Sequence, residues 1–363
     1  MSLRMLTVLS VCICAVVAPL AAADEPPATI TVENLRQLTP VARIEFADAP
    51  TLVENGWFAL DAAGQHAAVI SREQSLLVWN ADGTLTDEYS IPGSDGLPTS
   101  ILDAAFSPRD DLLVSAHLEG GMFYAAYRWF KAAYHEYYQF TTQDVPLRIW
   151  ADENVWLEVS PFDYMQSRYI MELRPLPLDR IRQNDILSAD EIATLPSGPE
   201  SDAESFVRVG RIEPPLAVTV TREGLAKRWN LQTGGVDAEA QMAALPGAGQ
   251  ISADGRYFAW RDNESHMLHL LDFETGIDRE VAPLDGAYIP FLLITPAADL
   301  IVGINIAGTP IVAAWDTQTG ERFDLGAYRE CGRQPDMARL SKDGTTLVIG
   351  CDMGLEFWRI ERS

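Results

Sequence analysis

A repeat of about 43 residues constrains this chain more than any other feature. The similar segments WNLQTG, LDFETG and WDTQTG begin at residues 229, 271 and 315, and Trp358 follows after a further 43 positions. A period of this length, with three or four short strands in each unit, is typical of propeller blades. The chain is therefore predicted to be all-β, a seven-bladed β-propeller of four-stranded blades over residues 57–363.

Tight turns punctuate the predicted units. The turn between the first two strands is expected at AAGQ (62–65), SADG (252–255), TPAAD (295–299) and SKDG (341–344). Glycine supplies the positive φ that such a reversal needs and proline presets a negative one, so these segments predict hairpins by a defined mechanism.

Polar residues recur at fixed positions around these strands. The matches are Ser71, Glu73, Trp79 and Asn80 in the first unit, Thr221, Glu223, Trp229 and Asn230 in the fourth, and Trp315-Asp316 in the sixth. This pattern resembles the WD-repeat β-propeller family over roughly residues 57–360. No Gly-His dipeptide precedes a first strand, so the family's buried Asp-His-Ser/Thr-Trp network is not carried over. Related bacterial propellers with looser motifs remain an alternative.

The resemblance also implies how the chain would close. Residues 24–56 are predicted to hold a lone strand and a linker, whereas residues 337–360 supply only three strands. An open sheet edge is a liability for aggregation. We therefore predict that Thr29–Phe46 contributes the outer strand of the last blade.

The first 23 residues resemble an export signal. Arg4 is their only charge, an apolar run follows from Met5 to Leu20, and Ala21-Ala22-Ala23 forms a small-residue cleavage site. The run is short for a membrane span. We predict a signal peptide at 1–23, a secreted or periplasmic protein, and no integral membrane span after cleavage. An uncleaved anchor is the alternative.

Two cysteines would remain after cleavage, Cys331 and Cys351. An even pair in an oxidising compartment favours a disulfide, which would staple the last blade. Two free, buried thiols are the alternative.

Charge and motifs narrow the function. The net charge of −25 argues against nucleic acid and anionic membranes as partners. The sequence holds no Gly-x-Ser-x-Gly elbow, no phosphate loop and no His-Glu-x-x-His. We therefore predict no enzyme activity, no cofactor and no metal site, and the five histidines are expected to be surface or interblade residues.

Three features could form a binding surface. Arg72, Arg222 and Arg261 each begin the loop after a second strand, and together they would form a ring on one face that binds anions or carboxylates. The alternative, which is the commoner case, is that the acidic residue after each arginine fixes the turn and the arginine is only its solvated neighbour. The aromatic stretch 122–140 offers Tyr134, Tyr137 and Tyr138 as candidate exposed anchors, although packing within or between blades is the favoured explanation. Residues 175–204 exceed the length of a blade and predict an elaborated connection.

These observations favour an exported, non-catalytic propeller that acts as a protein-interaction scaffold through loops on one face. The resemblance implies that role, because WD-repeat propellers characteristically serve as interaction platforms. The alternative is a propeller that binds a small molecule or carbohydrate, with hydrolase activity in its central channel as an extension. No pattern in the chain selects an oligomeric state.

Overall fold

A computed structural model describes much of this chain. The described residues are 27–45, 58–70, 75–90, 100–107, 112–118, 123–130, 133–139, 144–151, 154–163, 168–169, 172–177, 208–209, 216–221, 223–230, 233–284, 289, 292–305, 311–327, 337–351 and 354–360. Within these ranges the secondary structure is almost entirely β, with one short 3-10 turn at Leu35–Gln37.

The strands are short and follow one another closely. In chain order they are β1 (Leu38–Glu45), β2 (Phe58–Leu60), β3 (His66–Ile70), β4 (Ser75–Asn80), β5 (Leu85–Ser90), β6 (Ser100–Phe106), β7 (Leu112–Leu118), β8 (Phe123–Phe130), β9 (Ala133–Gln139), β10 (Asp144–Ala151), β11 (Asn154–Asp163), β12 (Arg168–Tyr169), β13 (Glu172–Pro177), β14 (Arg208–Val209), β15 (Leu216–Val220), β16 (Leu225–Asn230), β17 (Gly235–Gln241), β18 (Pro246–Ile251), β19 (Tyr257–Asp262), β20 (Met267–Asp272), β21 (Ile277–Pro283), β22 (Leu292–Ile294), β23 (Leu300–Asn305), β24 (Ile311–Asp316), β25 (Arg322–Ala327), β26 (Met337–Leu340), β27 (Leu347–Cys351) and β28 (Gly354–Ile360).

Antiparallel pairing assembles the described strands into four-stranded sheets. The first is β2–β5, the second β6–β9, the third β10–β13, the fourth β14–β17, the fifth β18–β21, the sixth β22–β25, and the seventh β26–β28 with β1. Within a sheet each strand pairs with the next along the chain, with two exceptions: β1 pairs with β28 in the seventh sheet, and β11 pairs with β10, β12 and β13 in the third. The period read from the sequence therefore corresponds to one sheet for each repeat.

The seventh sheet joins distant parts of the chain. β1 pairs antiparallel with β28, from Leu38 opposite Ile360 to Glu45 opposite Gly354. Pro40 lies in β1 beside a register shift. Proline is tolerated there because β1 is an edge strand, in which one side of the backbone needs no partner. An N-terminal strand thus completes the sheet of the last repeat.

Apolar side chains fill the seams between successive sheets. One buried cluster joins the fourth and fifth sheets, another joins the fifth and sixth, and a third joins the sixth and seventh. Trp260 and Trp315 are fully buried in the first two of these clusters. Burying a large apolar side chain stabilises a fold by about 1.5–3 kcal/mol, so these seams are a main source of stability.

The first sheet packs against the seventh. Phe58 and Val69 share a buried cluster with Val348 and Phe357. In addition, the Nε of Arg339 donates a hydrogen bond of 2.9 Å to the backbone oxygen of Phe58. The earliest and latest repeats are therefore in direct contact.

The predicted hairpin turns lie between the first and second strands of their sheets. Ser252 Oγ bonds the carboxylate of Asp254, and Ser341 Oγ bonds that of Asp343 in the same way. The turn at 295–299 places Ala298 at φ 53°, a left-handed conformation that the other turns give to glycine. The sequence identified these turns correctly.

The predicted connection at 175–204 begins later than the sequence indicated. Pro175 and Pro177 belong to β13, where they lie opposite Trp156 and Asn154 of β11. Residues 178–204 are outside the described residues, as is the predicted signal peptide at 1–23.

Candidate functional site

The topology of each sheet gives it two distinct ends. Turns between the first and second strands, and between the third and fourth, lie at one end, which we call the turn end. Loops between the second and third strands, and the connections to the next sheet, lie at the other, which we call the loop end. Of the three arginines that the sequence singles out, Arg261 is described, and it lies beside the loop end of the fifth sheet.

Arg261 lies near the end of β19 and is only 9% exposed. Its Nη1 donates a hydrogen bond of 2.7 Å to the backbone oxygen of Ile289, in the connection between the fifth and sixth sheets. Its Nη2 donates a second bond, also 2.7 Å, to Oδ1 of Asn263. The guanidinium thus ties the loop of one sheet to the connection leading to the next. This geometry favours a positioning role for Arg261 over the exposed, anion-reading role predicted from its sequence position.

Asp262 fixes the loop that follows Arg261. Its carboxylate accepts hydrogen bonds from the backbone nitrogen of Glu264 and from the hydroxyl of Ser265. Burial raises the pKa of Asp262, but these hydrogen bonds outweigh burial and hold that pKa below its usual value. The loop is therefore anchored at its base by an ionised carboxylate, while residues 263–266 are exposed.

A buried polar cluster lies in the same sheet. The ring of His269 stacks on the indole of Trp260 with centroids 4.1 Å apart. Asp278 accepts a hydrogen bond of 3.1 Å from Trp260 Nε1 and one of 2.9 Å from the backbone nitrogen of Ala243. Its Oδ1 is also 3.6 Å from Nδ1 of His269. This cluster links β19, β20 and β21 to the connection after the fourth sheet, and it agrees with the interblade position predicted for His269.

The fourth sheet contains a tryptophan–threonine hydrogen bond that the sequence analysis did not predict. Trp229 Nε1 donates a hydrogen bond of 2.9 Å to Oγ1 of Thr219 on the neighbouring strand. The signal that could have revealed it is a threonine placed ten residues before the tryptophan.

The other candidate residues are described only in part. Arg72 and Arg222 are outside the described residues. The three tyrosines belong to β9, the last strand of the second sheet. Tyr134 lies opposite Trp129 of β8 and Tyr138 opposite Ala126, while Tyr137 is the extra residue at a register shift between them. Nothing is described of their side chains.

The disulfide between Cys331 and Cys351 stays a prediction. Cys331 is outside the described residues, and Cys351 is the last residue of β27, with its side chain not described.

The described residues contain no group of three or more His, Cys, Asp or Glu side chains placed to hold a metal ion. Among the same residues, no helix has the length and apolar composition needed to cross a membrane.

Comparison with known proteins supports the architecture. No protein-family model matches the chain, and no curated protein does so. Among solved structures, a chain in the crystal structure of a mitotic checkpoint complex is similar, with 14% sequence identity and a TM-score of 0.58. The match covers 94% of this chain and all of that chain, which is a WD40 β-propeller. At this level of identity the likeness shows the fold alone: a WD-repeat type of β-propeller.

Proposed function

We propose that this protein is an exported, non-catalytic scaffold, a seven-bladed propeller that binds another protein through its loop end. The observation on which this rests is the loop of the fifth sheet. Hydrogen bonds from Arg261 and to Asp262 hold the base of that loop, while residues 263–266 at its tip are exposed. A firmly held loop with an exposed polar tip suits recognition of a partner, since binding residues are commonly placed on loops positioned by a rigid scaffold.

A closed ring supports this proposal because it would gather all the loop ends on one face. Sheet follows sheet along the fourth to seventh repeats through shared apolar clusters. The seventh then packs on the first through Phe58, Phe357 and the Arg339 hydrogen bond. Seven sheets, five of which are linked in this manner, are consistent with seven blades closed by β1.

An apolar side chain adds to the loop end. Leu245 is 41% exposed in the connection between β17 and β18. The start of β18, directly after this connection, lies beside the fifth-sheet loop, because a Cβ on Gly247 would overlap Asn263. An exposed leucine near fixed polar groups is typical of the mixed chemistry of transient protein interfaces.

Export is the remaining part of the proposal. The charged, apolar and small-residue segments within 1–23 favour a cleaved signal, and a net charge of −25 suits a protein that stays in solution. Mass spectrometry of the N-terminus of protein recovered outside the cytoplasm tests this directly. An intact residue 1 on that protein would refute cleavage.

The binding test is crosslinking and affinity capture from the host's envelope fraction, read by mass spectrometry. The test variant changes Arg72 and Arg222 to alanine and leaves Arg261 intact, because loss of its hydrogen bonds would disturb the loop itself. The matched control changes Lys227 and Lys342 to alanine, which removes the same charge away from the loop end. We expect the wild type and the control to capture a stoichiometric partner that the test variant loses.

Two outcomes would count against the scaffold. If both double variants capture the partner equally well, Arg72 and Arg222 are not part of the interface. Capture of no protein by the folded wild type would favour the alternative, a propeller that binds small molecules or carbohydrates. Glycan-array binding and metal analysis of the purified protein would then follow.

A further inference from the structure

The segment before β1 forms a strap across the seam between the sixth and seventh sheets. We define the strap as residues 29–37. Its Ile30 and Leu35 are 1% and 0% exposed and belong to the apolar cluster that these two sheets share. Leu293 and Val302 of the sixth sheet, with Leu347 of the seventh, are in the same cluster. The strap therefore inserts two aliphatic side chains, five residues apart, into a groove between neighbouring sheets.

Backbone groups of the strap bind the turn end of both sheets. The backbone nitrogen of Ile30 donates a hydrogen bond of 2.8 Å to the oxygen of Gly344 in the seventh sheet. The backbone nitrogen of Val32 donates one of 3.1 Å to Oδ2 of Asp299 in the sixth. Main-chain hydrogen bonds and side-chain pockets are the features by which grooves recognise peptides in general. The strap uses both, with residues 32–37 folded into a turn and a short 3-10 helix.

In two other seams an arginine bonds the turn. Arg228 Nη1 donates a hydrogen bond of 2.8 Å to the oxygen of Gly255, and Arg359 Nη2 donates one of 2.7 Å to that of Gly64. Both acceptors, like Gly344, are the left-handed residue of a turn between first and second strands. Arg228 precedes Trp229 and Arg359 follows Trp358, whereas the residues on either side of Trp315 in the sixth sheet are Ala314 and Asp316. Neither of these side chains is a hydrogen-bond donor, and in this seam the backbone nitrogen of Ile30 bonds the oxygen of Gly344 instead.

The strap can leave this groove without dismantling a sheet. The ladder between β1 and β28 begins only at Leu38, after the strap ends. Within the strap, Asn34 bonds the backbone of Thr29 and Thr31, so much of its polar bonding is internal. Elements with few bonds to the rest of a fold open at lower free energy than the fold as a whole.

We propose that the seam between the sixth and seventh sheets is a peptide-binding groove, which the strap occupies in the free protein. Its external ligand would be a segment of a partner protein that adopts the same turn as the strap and carries two aliphatic side chains five residues apart. That segment would replace the strap, donating a backbone N–H to the oxygen of Gly344. This groove lies at the turn end, opposite the proposed scaffold loops, and does not depend on them.

The test uses a variant in which a protease site follows Gln37, so that the strap is cut in the folded protein. The probe is a fluorescent peptide of residues 28–37, and the control probe carries Ile30→Asp and Leu35→Asp. Fluorescence anisotropy measures binding before and after cleavage and removal of the strap. We expect saturable binding of the probe after cleavage, at least tenfold weaker binding to the uncut protein, and none of the control probe.

A second measurement guards against unfolding. Loss of the strap is expected to lower the melting temperature of the protein, and the probe is expected to restore it whereas the control is not. A variant with Ile30→Ser and Leu35→Ser in an uncut chain should also accept the probe. No probe binding by folded, strap-free protein, or equal binding of probe and control, would overturn the proposal. Equal affinity before and after cleavage would show that the strap does not occupy the groove.

Discussion

Replacing Gly320 with alanine tests how the sixth sheet packs on the fifth. Gly276 and Gly320 occupy the same position in successive repeats, each after a threonine in the turn between third and fourth strands. Both are left-handed, with φ of 68° and 72°. A Cβ added to Gly276 would meet nothing within 4 Å, whereas one on Gly320 would lie 2.4 Å from the backbone oxygen of Val281 in β21.

The two alanine variants should therefore differ in stability. A left-handed alanine costs about 1–2 kcal/mol, and the less flexible unfolded chain offsets about 0.4–1 kcal/mol of this. Gly276→Ala should thus reduce the free energy of unfolding by about 1 kcal/mol or less. Gly320→Ala adds an overlap with backbone, which cannot rotate away as a side chain can. Overpacking typically costs about 1–3 kcal/mol, so a total of about 2–4 kcal/mol is expected.

Urea unfolding, followed by tryptophan fluorescence and far-ultraviolet circular dichroism, measures both variants against the wild type. Because the turn strain is common to both substitutions, the difference between them reports the contact of the Gly320 turn with β21. Equal destabilisation of the two variants would refute the packing of this turn against the fifth sheet.

Three other predictions concern the seams, the turns and the cysteines. Arg359→Met keeps the aliphatic stem but removes two hydrogen bonds, so it should lower the free energy of unfolding, measured in urea, by about 2–4 kcal/mol. Arg228→Met should lower it by a similar amount. If Arg228→Met is destabilising and Arg359→Met is not, the contact between the first and seventh sheets is contradicted. A hydrogen bond from Arg256 lowers the pKa of Asp272 below its unfolded value of about 3.9. The stabilisation of the fold by ionised Asp272 is therefore fully present above that pH and is lost as pH falls through the folded pKa. Wild type should accordingly exceed Asp272→Asn in stability at neutral pH by more than it does at pH 3, and a gap that does not change with pH would contradict this account. Protein exported by its host should be two hydrogens lighter in intact-mass spectra than after reduction, if Cys331 and Cys351 form a disulfide; two thiols that alkylate without reductant would exclude it.

The turns and the repeat could be predicted because their causes are local. Asp-Gly at 254–255 and 343–344 specifies a reversal wherever it occurs between β-rich runs. The pairing of the N-terminal strand with the last repeat was implied by the resemblance to WD-repeat propellers, and the strand count agreed with it, since β26–β28 alone would leave an edge open. The structure narrows that strand from the predicted range of 29–46 to Leu38–Glu45.

The roles of individual polar residues depended on distant parts of the chain. The sequence placed Arg261 at the start of a loop, whereas it lies within β19, one residue before that strand ends. Its guanidinium bonds the backbone oxygen of Ile289, 28 residues away, and the side chain is buried. The strap depends on Asp299, which lies 267 positions from Val32. No local pattern encodes such meetings, because the residues are adjacent only after the sheets have assembled.

The seventh sheet gives the order of synthesis a structural meaning. A hydrogen bond beside it joins Thr29 and Asp343, which are 314 positions apart, and β1 cannot complete its ladder until β28 has been synthesised. A chain that stops before β28 leaves β1 without its ladder and the pocket for Phe58 incomplete. Such a truncated chain would display an unpaired strand and apolar surface, which proteases and chaperones recognise. Truncation before β28 is therefore expected to be detected by the cell as misfolding rather than tolerated as a shorter propeller.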